Sequence, residues 1–499
     1  MCERMNQIQF GQKAQKQIDS LSRDIENLYL VGGIPRDFFL FGKYKTDDID
    51  LTTDLPVEAI RERVKTNFFQ SNETFTVCIN AGDSVIEITP FKGKDLSEDL
   101  ESRDLTINAI AIPIVNGELD YNNVWDEFGG FRDIQYKVLR TTRERNFIDD
   151  PLRILRLFRF QSKLGFDIEN LTWRYAVNNR HLIKTVASER IKKEFDGILK
   201  GQYVQMALRN MLHAGVLEQL FEDVKPMMDF LHCDRHHFHE SIIEHTIRVV
   251  QGAPNERALR LAAFFHDFGK PAVFDPEKGS HYIGHEKKSV EMVEGILFDN
   301  RYEKAIIDEV KTLIEFHDVS LDSKSKFNEI FFYHGEELFK KLIQLMLADK
   351  KATFADFESF EQALRAKAEK TLGYQEIFQA MAKKIRGQFL LAIGMKPNPM
   401  FSQIIEHLQK KFLKKPETFS DQALLKTAQG ILHFNENYGQ LYYKKETYHR
   451  VKEVYKDGVI YGVLEEENEI AFQSELFKYR YINGEVFERM DKKGGYSFY

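Results

Sequence analysis

The spacing of apolar residues changes near Asp150, and that change limits the fold more than any other feature. Before it, LYLVGG, DIDLTTD, TFTVCIN and VIEITPF, all between residues 28 and 91, read as short runs rich in β-branched side chains with the two-residue period of half-buried strands. Between Gly33 and Gly42, Pro35 followed by RDFFLF reads as a helix start, because proline suits the first helical turn. From Asp150 the spacing is helical (LRILRLFRF, ERIKKEFDGIL, ALRNMLHAGVLEQLF), and it stays helical through residues 230–385 and on to GILHFNENYGQ. The tail (KDGVIYGVLE, YINGEVFE, KKGGYSFY) reads as short strands split by glycine. The expected class is α+β: a small N-terminal mixed β-sheet head, mostly α-helical domains after it, and a short β-rich C-terminal tail.

Length and charge narrow the functions. At about 100–200 residues per domain, 499 residues suggest three or four domains. A hydrophobic fraction of 43% is too high for a disordered chain, and no run of about 18 apolar residues could span a bilayer. The start, MCERMNQIQFGQKAQ, lacks the apolar stretch of a secretory signal. Cys2, Cys78 and Cys233 are too scattered for a zinc or disulfide framework, which fits a cytoplasmic protein. A net charge of −7 excludes a bulk polycation but not a local basic patch.

One constellation carries phosphate chemistry. Gly32-Gly33 closes a strand, and Asp48-Ile49-Asp50 opens another. Residues two apart on a strand share a face, so the two carboxylates stand about 7 Å apart along it. That suits a pair of magnesium ions about 3.5–4 Å apart. The glycine pair lets a triphosphate approach the backbone. Glu87 in VIEIT is a candidate third carboxylate, which an exposed strand face explains equally well. Further on come Arg103-Asp104-Leu105-Thr106-Ile107-Asn108, then Gly129-Gly130-Phe131-Arg132-Asp133, then Asp149-Asp150-Pro151-Leu152-Arg153. Asp150 reads as the cap of a helix whose first position is Pro151. On that helix Arg153, Arg156 and Arg159 recur every three residues, with Leu152, Leu155 and Phe158 along another side.

These motifs, in this order from Gly32 to Glu189-Arg190-Ile191-Lys192-Lys193-Glu194-Phe195, resemble the class II tRNA nucleotidyltransferases, the CCA-adding enzymes and their poly(A) polymerase relatives. The resemblance implies that Asp48 and Asp50 hold Mg2+ and are catalytic, that Gly32, Gly33 and Arg36 meet the triphosphate, and that Arg103, Asp104 and Asn108 position sugar and phosphates. Asp150 and Arg153 match the element that reads the incoming base, and Arg156 and Arg159 on the same helix are expected to bind the nucleotide. The physical case for that reading is direct. C and A both offer an amine donor beside a ring-nitrogen acceptor, matching a carboxylate and a guanidinium. U and G offer the reverse, and each group left unpaired in a buried site costs about 1–3 kcal/mol. CTP and ATP would be the substrates and a tRNA 3′ end the acceptor. The sequence departs from the family pattern at Ser102, which replaces an arginine, and at Asp149, which replaces a glutamate. Only KGKDLSEDLES lies between Phe91 and Arg103, a short loop that resembles the CC-adding subtype. CC-only addition, poly(A) polymerisation, and a phosphohydrolase whose front domain merely binds nucleotide remain the alternatives.

A second constellation is built of histidine. Nine of the fifteen histidines fall between His232 and His317. His245, His266-Asp267, His285, His317 and Asp349 each sit on or beside a helical stretch, and imidazole with carboxylate suits Zn, Fe, Mn or Ni. His266-Asp267 followed by Gly269-Lys270 resembles the HD phosphohydrolase signature. The resemblance makes His245 and Asp349 the first and last ligands, and His285 and His317 the extra ligands of binuclear members. His232, His236, His237 and His239 crowd just upstream, His237 in a position the family also uses. The expected domains are a transferase head at 1–140, a helical neck at 141–228, an HD domain at 229–385, a helical tRNA-binding body at 386–440 and an aromatic tail at 441–499. Lysine runs at KKIRG and KKFLKK could meet tRNA phosphates or be solvated helix faces. No membrane partner is expected, and oligomeric state is left open.

Overall fold

The computed structural model describes residues 8–42, 48–66, 68–71, 76–230, 241–275, 282–323, 325–353, 356–395 and 401–438, together with the strands of the tail. His232, His236, His237, His239, Cys2 and Cys233 lie outside the described residues. The chain divides into two compact units, residues 1–318 with 344–357, and residues 319–343 with 358–499.

The first unit opens with α1 (Gln12–Asp24), β1 (Leu28–Leu30), α2 (Gly33–Phe41), β2 (Asp48–Thr53), α3 (Val57–Arg63), β3 (Phe68–Ser71), β4 (Thr76–Asn80), β5 (Val85–Pro90) and α4 (Leu96–Glu101). After β6 (Ile112–Val115) and β7 (Glu118–Leu119), α5 (Gly130–Tyr136) completes the head. Its seven strands run in the order β3-β4-β5-β2-β1-β6-β7. The sheet is mixed, as expected: β2 pairs parallel with β5 and antiparallel with β1. The apolar alternation fixes which way β2 faces. Ile49 and Leu51 are buried with Leu28, Leu30, Ile86 and Ile88 in one core, against Ile18 and Leu21 of α1. Each such side chain contributes about 1.5–3 kcal/mol on burial. Asp48 and Asp50 must then project from the opposite face.

Helices follow: α6 (Arg145–Asp149), α7 (Leu152–Leu164), α8 (Asn170–Asn179), α9 (Ser188–Leu199), α10 (Val204–His213), α11 (Leu217–Leu220) and α12 (Val224–Asp229). On α7, Leu152, Leu155 and Phe158 are buried as expected. The helix ends at Gly165, whose left-handed φ of 69° lets its N–H reach the Gln161 carbonyl at 2.8 Å. Its start differs from expectation. Asp150 keeps an extended backbone whose carbonyl accepts from the Arg153 N–H at 3.0 Å, but its carboxylate turns to Arg190. A side-chain cap competes with an ion pair here, and the ion pair prevails.

The histidine-rich part is helical: α13 (Ile242–Gly252), α14 (Arg257–Phe265), α15 (Lys270–Val273), α16 (His285–Asp299), α17 (Lys304–Phe316) and α18 (Lys326–Ala352). Helix α18 is broken at Gly335, and its end from Gln344 belongs to the first unit. In the second unit, helices Phe357–Leu372, Gln375–Lys384, Gly387–Ala392, Phe401–Lys414 and Asp421–Tyr438 precede the tail. The tail is strand-rich, as expected, with a hairpin of Val451–Lys456 and Val459–Leu464 and an antiparallel sheet of four short strands. Among the described residues no helix is long and apolar enough to cross a membrane.

Candidate functional site

The face of β2 that carries the carboxylates opens on a cavity of about 650 Å³. Gly32, Gly33, Arg36, Asp48, Asp50, Arg103, Asp104, Asn108, Asp150, Arg153, Arg156 and Arg159 all line it. These twelve residues, all expected to touch the nucleotide or its metals, are therefore brought to one space, from β2, the β1–α2 turn, α2, the segment after α4, and α7 with Asp150 just before it.

At its floor the backbone turns at Gly32 with φ 77°, and a Cβ there would lie 2.4 Å from Asp50 Oδ2. Only glycine allows this approach. The Gly33 N–H donates to the Asp50 carboxylate. Burial raises the Asp50 pKa, Arg103 opposes that, and the Asp48 charge raises it further. Glu87 stands beside Asp50 in the β2–β5 register, and burial followed by Asp50 and Asp48 raises its pKa also. Three carboxylates that repel one another on one face form a donor set a divalent cation would relieve. Glu87 does not line the cavity itself, which puts it beside the pair.

The wall is a chain of charge-assisted hydrogen bonds. Arg36 Nη1 donates to Asn108 Oδ1 at 2.7 Å, Asn108 Nδ2 to Asp104 Oδ1 at 2.9 Å, and Arg156 Nε to Asp104 Oδ2 at 2.7 Å. Burial alone would raise the Asp104 pKa, but Arg156 and Asn108 outweigh it and hold the carboxyl well below the usual range. Arg103 pairs with Asp99 at 2.9 Å. Asp150 and Arg153, at the start of α7, form the other end of the cavity, where Arg190 Nη2 holds Asp150 at 3.1 Å.

Several lining residues were not singled out from sequence: Asp37, Lys92, Asp99, Phe160, Lys163 and Arg190. Phe160 lies under the guanidinium groups of Arg36 at 5.1 Å and Arg159 at 4.8 Å. Lys163 extends the arginine spacing by one turn, a signal that was legible. Lys92 lies outside any periodic element, and nothing local marks it.

The histidine set also converges. His245, His266 and Asp267 form one cluster with metal-ligand spacing, and Asp267, His285 and His317 form a second that shares Asp267. Asp349, at the end of α18, reaches His245 Nε2 at 2.9 Å. The imidazoles are held at their far nitrogens: Nδ1 of His266, His285 and His317 lies 2.9, 2.8 and 2.7 Å from the carbonyls of Ala263, Tyr282 and Ile314. In the tautomer that donates at Nδ1, each presents a lone pair at Nε2 toward the centre, as a metal ligand must. Lys270 Nζ lies 2.6 Å from Asp267 Oδ2. A buried imidazole and carboxylate set of this kind suits divalent transition metals.

In the second unit the lysine runs are partly engaged. Lys410 pairs with Glu406, Lys384 with Asp421, and Lys411 with the Thr427 hydroxyl.

Comparison with known proteins fits this geometry. Residues 28–140 match the "Poly A polymerase head domain", 165–228 the "Probable RNA and SrmB- binding site of polymerase A", and 242–353 the "HD domain". The chain is 34% identical over 210 residues to a CCA-adding enzyme of Bacillus velezensis, a match covering 38% of this chain and 51% of that protein. It is 30% identical over 348 residues to a CC-adding tRNA nucleotidyltransferase of Thermus thermophilus, covering 66% of this chain and 77% of that one. The chain thus spans about half the length of the first of these relatives. The crystal structure of the Bacillus stearothermophilus CCA-adding enzyme in complex with CTP is similar with a TM-score of 0.60 at 20% identity, over 86% of this chain and 99% of that one. That likeness shows the shared fold.

Proposed function

The chain belongs to the class II tRNA nucleotidyltransferases and carries an HD domain, and from that premise we propose that it adds CCA to tRNA 3′ ends from CTP and ATP without a template. One observation carries the reading: the Asp48–Asp50 cradle and the Asp150–Arg153 pair open on the same cavity. In this reading the Asp150 carboxylate accepts from the exocyclic amine of C or A, and Arg153 donates to the ring nitrogen. Asp104 and Asn108 orient the sugar, while Arg36, Arg103, Arg156 and Arg159 neutralise the phosphates. Asp48 and Asp50, with Glu87 beside them, would hold Mg2+, which when bound would supply charge stabilisation for attack of the tRNA 3′-hydroxyl on the α-phosphate and for departure of pyrophosphate. The protein works in the cytoplasm, on soluble RNA.

The five segments bounded at residues 140, 228, 385 and 440 act as transferase head, neck, HD domain, tRNA-binding body and tail. In the HD domain His245, His266, Asp267, His285, His317 and Asp349 would hold Mn, Ni, Fe or Zn, and a metal held there would supply Lewis-acid chemistry for hydrolysis of phosphate esters.

A second reading is CC addition alone. It is supported by the connection Phe91–Asp95 between β5 and α4, which leaves no long arm. Asp95 accepts from the Glu98 N–H at 3.0 Å and Glu98 from that of Lys94 at 3.0 Å, so the turn is tied down. Labelled CTP and ATP supplied to tRNA lacking its last three nucleotides, and to tRNA lacking only the final A, separate the readings. Extension of both substrates is expected. Two-nucleotide extension of the first alone means CC addition, long A tails mean poly(A) polymerisation, and no extension defeats the transferase reading.

A further inference from the structure

The cationic face of α7 runs one turn past the arginines used above. Lys163 lies ten residues beyond Arg153, ~15 Å along a helix. Positions 153, 156, 160 and 163 fall within a face about 80° wide, and all four line the cavity. The two ends of this row have different surroundings. Arg153 stands with Asp150, where the base is read. Lys163 stands with Arg36 and Asp37, in the helix that begins at the Gly32-Gly33 turn.

The carboxylate beside Lys163 is already engaged. Arg36 holds Asp37 Oδ1 through Nε at 2.7 Å and Nη2 at 2.6 Å, whereas Lys163 Nζ forms a looser ion pair with Oδ2 at 3.7 Å. The Lys163 side chain is half exposed, on the cavity side. Burial lowers its pKa, Asp37 opposes that, and Arg36 and Arg159 lower it further. Two cations, Arg36 and Lys163, share the one carboxylate of Asp37 at the end of the α7 row remote from Arg153, an arrangement suited to an anion.

We propose that Lys163 binds the terminal phosphates of the incoming nucleoside triphosphate. This rests on the transferase reading. With the base between Asp150 and Arg153, the triphosphate runs along α7 toward the glycine turn, and Lys163 meets its far end. The contact is specific to the triphosphate, since a monophosphate ends well short of it, and it is lost when pyrophosphate departs.

The test measures binding of CTP, CDP and CMP to the full chain with Mg2+ and without RNA, in the wild type, Lys163→Met and Lys163→Arg. The expected result is about tenfold weaker CTP binding in Lys163→Met, unchanged CMP binding, and recovery to within about threefold in Lys163→Arg. Equal losses for CTP and CMP would make the lysine a structural support and overturn the proposal. So would unchanged CTP binding, including the case in which KM for tRNA rises instead and the lysine holds the RNA backbone. Failure of the wild type to bind CTP at all would defeat the transferase reading itself, an outcome distinct from the other two.

Discussion

Asp104 shows how much of this site depends on single charges. It is buried, and burial pushes its carboxyl toward the neutral form, yet Arg156 and Asn108 hold it ionised far below its ordinary pKa. A pKa depressed on folding contributes stability that is present above the unfolded value of about 3.9 and lost as pH falls through the folded one. Replacing Arg156 with Gln leaves that carboxylate buried without its main partner. The expected loss is about 2 kcal/mol at pH 7, discounted because Arg156 is itself partly exposed. Without the guanidinium, burial governs and the Asp104 pKa rises, so the variant takes up a proton at higher pH than the wild type. The stability gap should therefore narrow as pH falls toward 4, and urea unfolding at pH 7 and pH 4.5 reads it. An equal gap at both values would mean that Arg156 acts through packing. Gly32→Ala is the matching test on the floor: a positive φ costs about 1–2 kcal/mol, and the new Cβ collides with Asp50 Oδ2. Transfer should fall more than about tenfold, a larger loss than the stability change explains, when initial rates and melting are compared.

Two helices hold the Asp150 side of the cavity. Arg190 and Glu194, one turn apart on α9, meet Asp150 and Arg159 at the two ends of the α7 arginine row. Arg190→Ala frees the Asp150 carboxylate to rotate while leaving the buried α7–α9 contact intact. Discrimination of CTP against UTP should drop about tenfold with melting little changed, as competition assays would report; unaltered selectivity would mean Asp150 is positioned by its backbone alone. Sequence made much of this legible. Period two put Asp48 and Asp50 on one face because Ile49 and Leu51 claimed the other, and period 3.6 put Arg153 and Arg156 on a different side of α7 from Leu155 and Phe158. The parts that were missed come from contacts distant in sequence. The sequence around Asp150 has the pattern of a helix cap because capping is local, whereas its partner Arg190 lies forty residues away. Glu87 gains its place only from the β2–β5 register, and Lys92 only from the tied turn before α4.

At the scale of the whole molecule, one unit contains two sets of ionisable groups with opposite chemistry. The first is oxygen-rich, with glycine and arginine around it, and suits a hard cation and a triphosphate. The second is imidazole-rich and fully buried, and suits a softer metal. They share no residue, so each should fail alone. Asp48→Ala removes a carboxylate from the first set without touching the helices of the second. It should abolish nucleotide addition while leaving phosphate-ester hydrolysis and the transition-metal content of the purified chain unchanged. His266→Ala removes a ligand fixed by the Ala263 carbonyl and should do the reverse, with metal content falling alongside hydrolysis. Elemental analysis beside the two activity assays distinguishes this from a shared dependence. If both activities fell together in a variant that kept its far-UV dichroism and melting point, the two sets would be one functional unit, and the division of chemistry drawn from their ligands would be wrong.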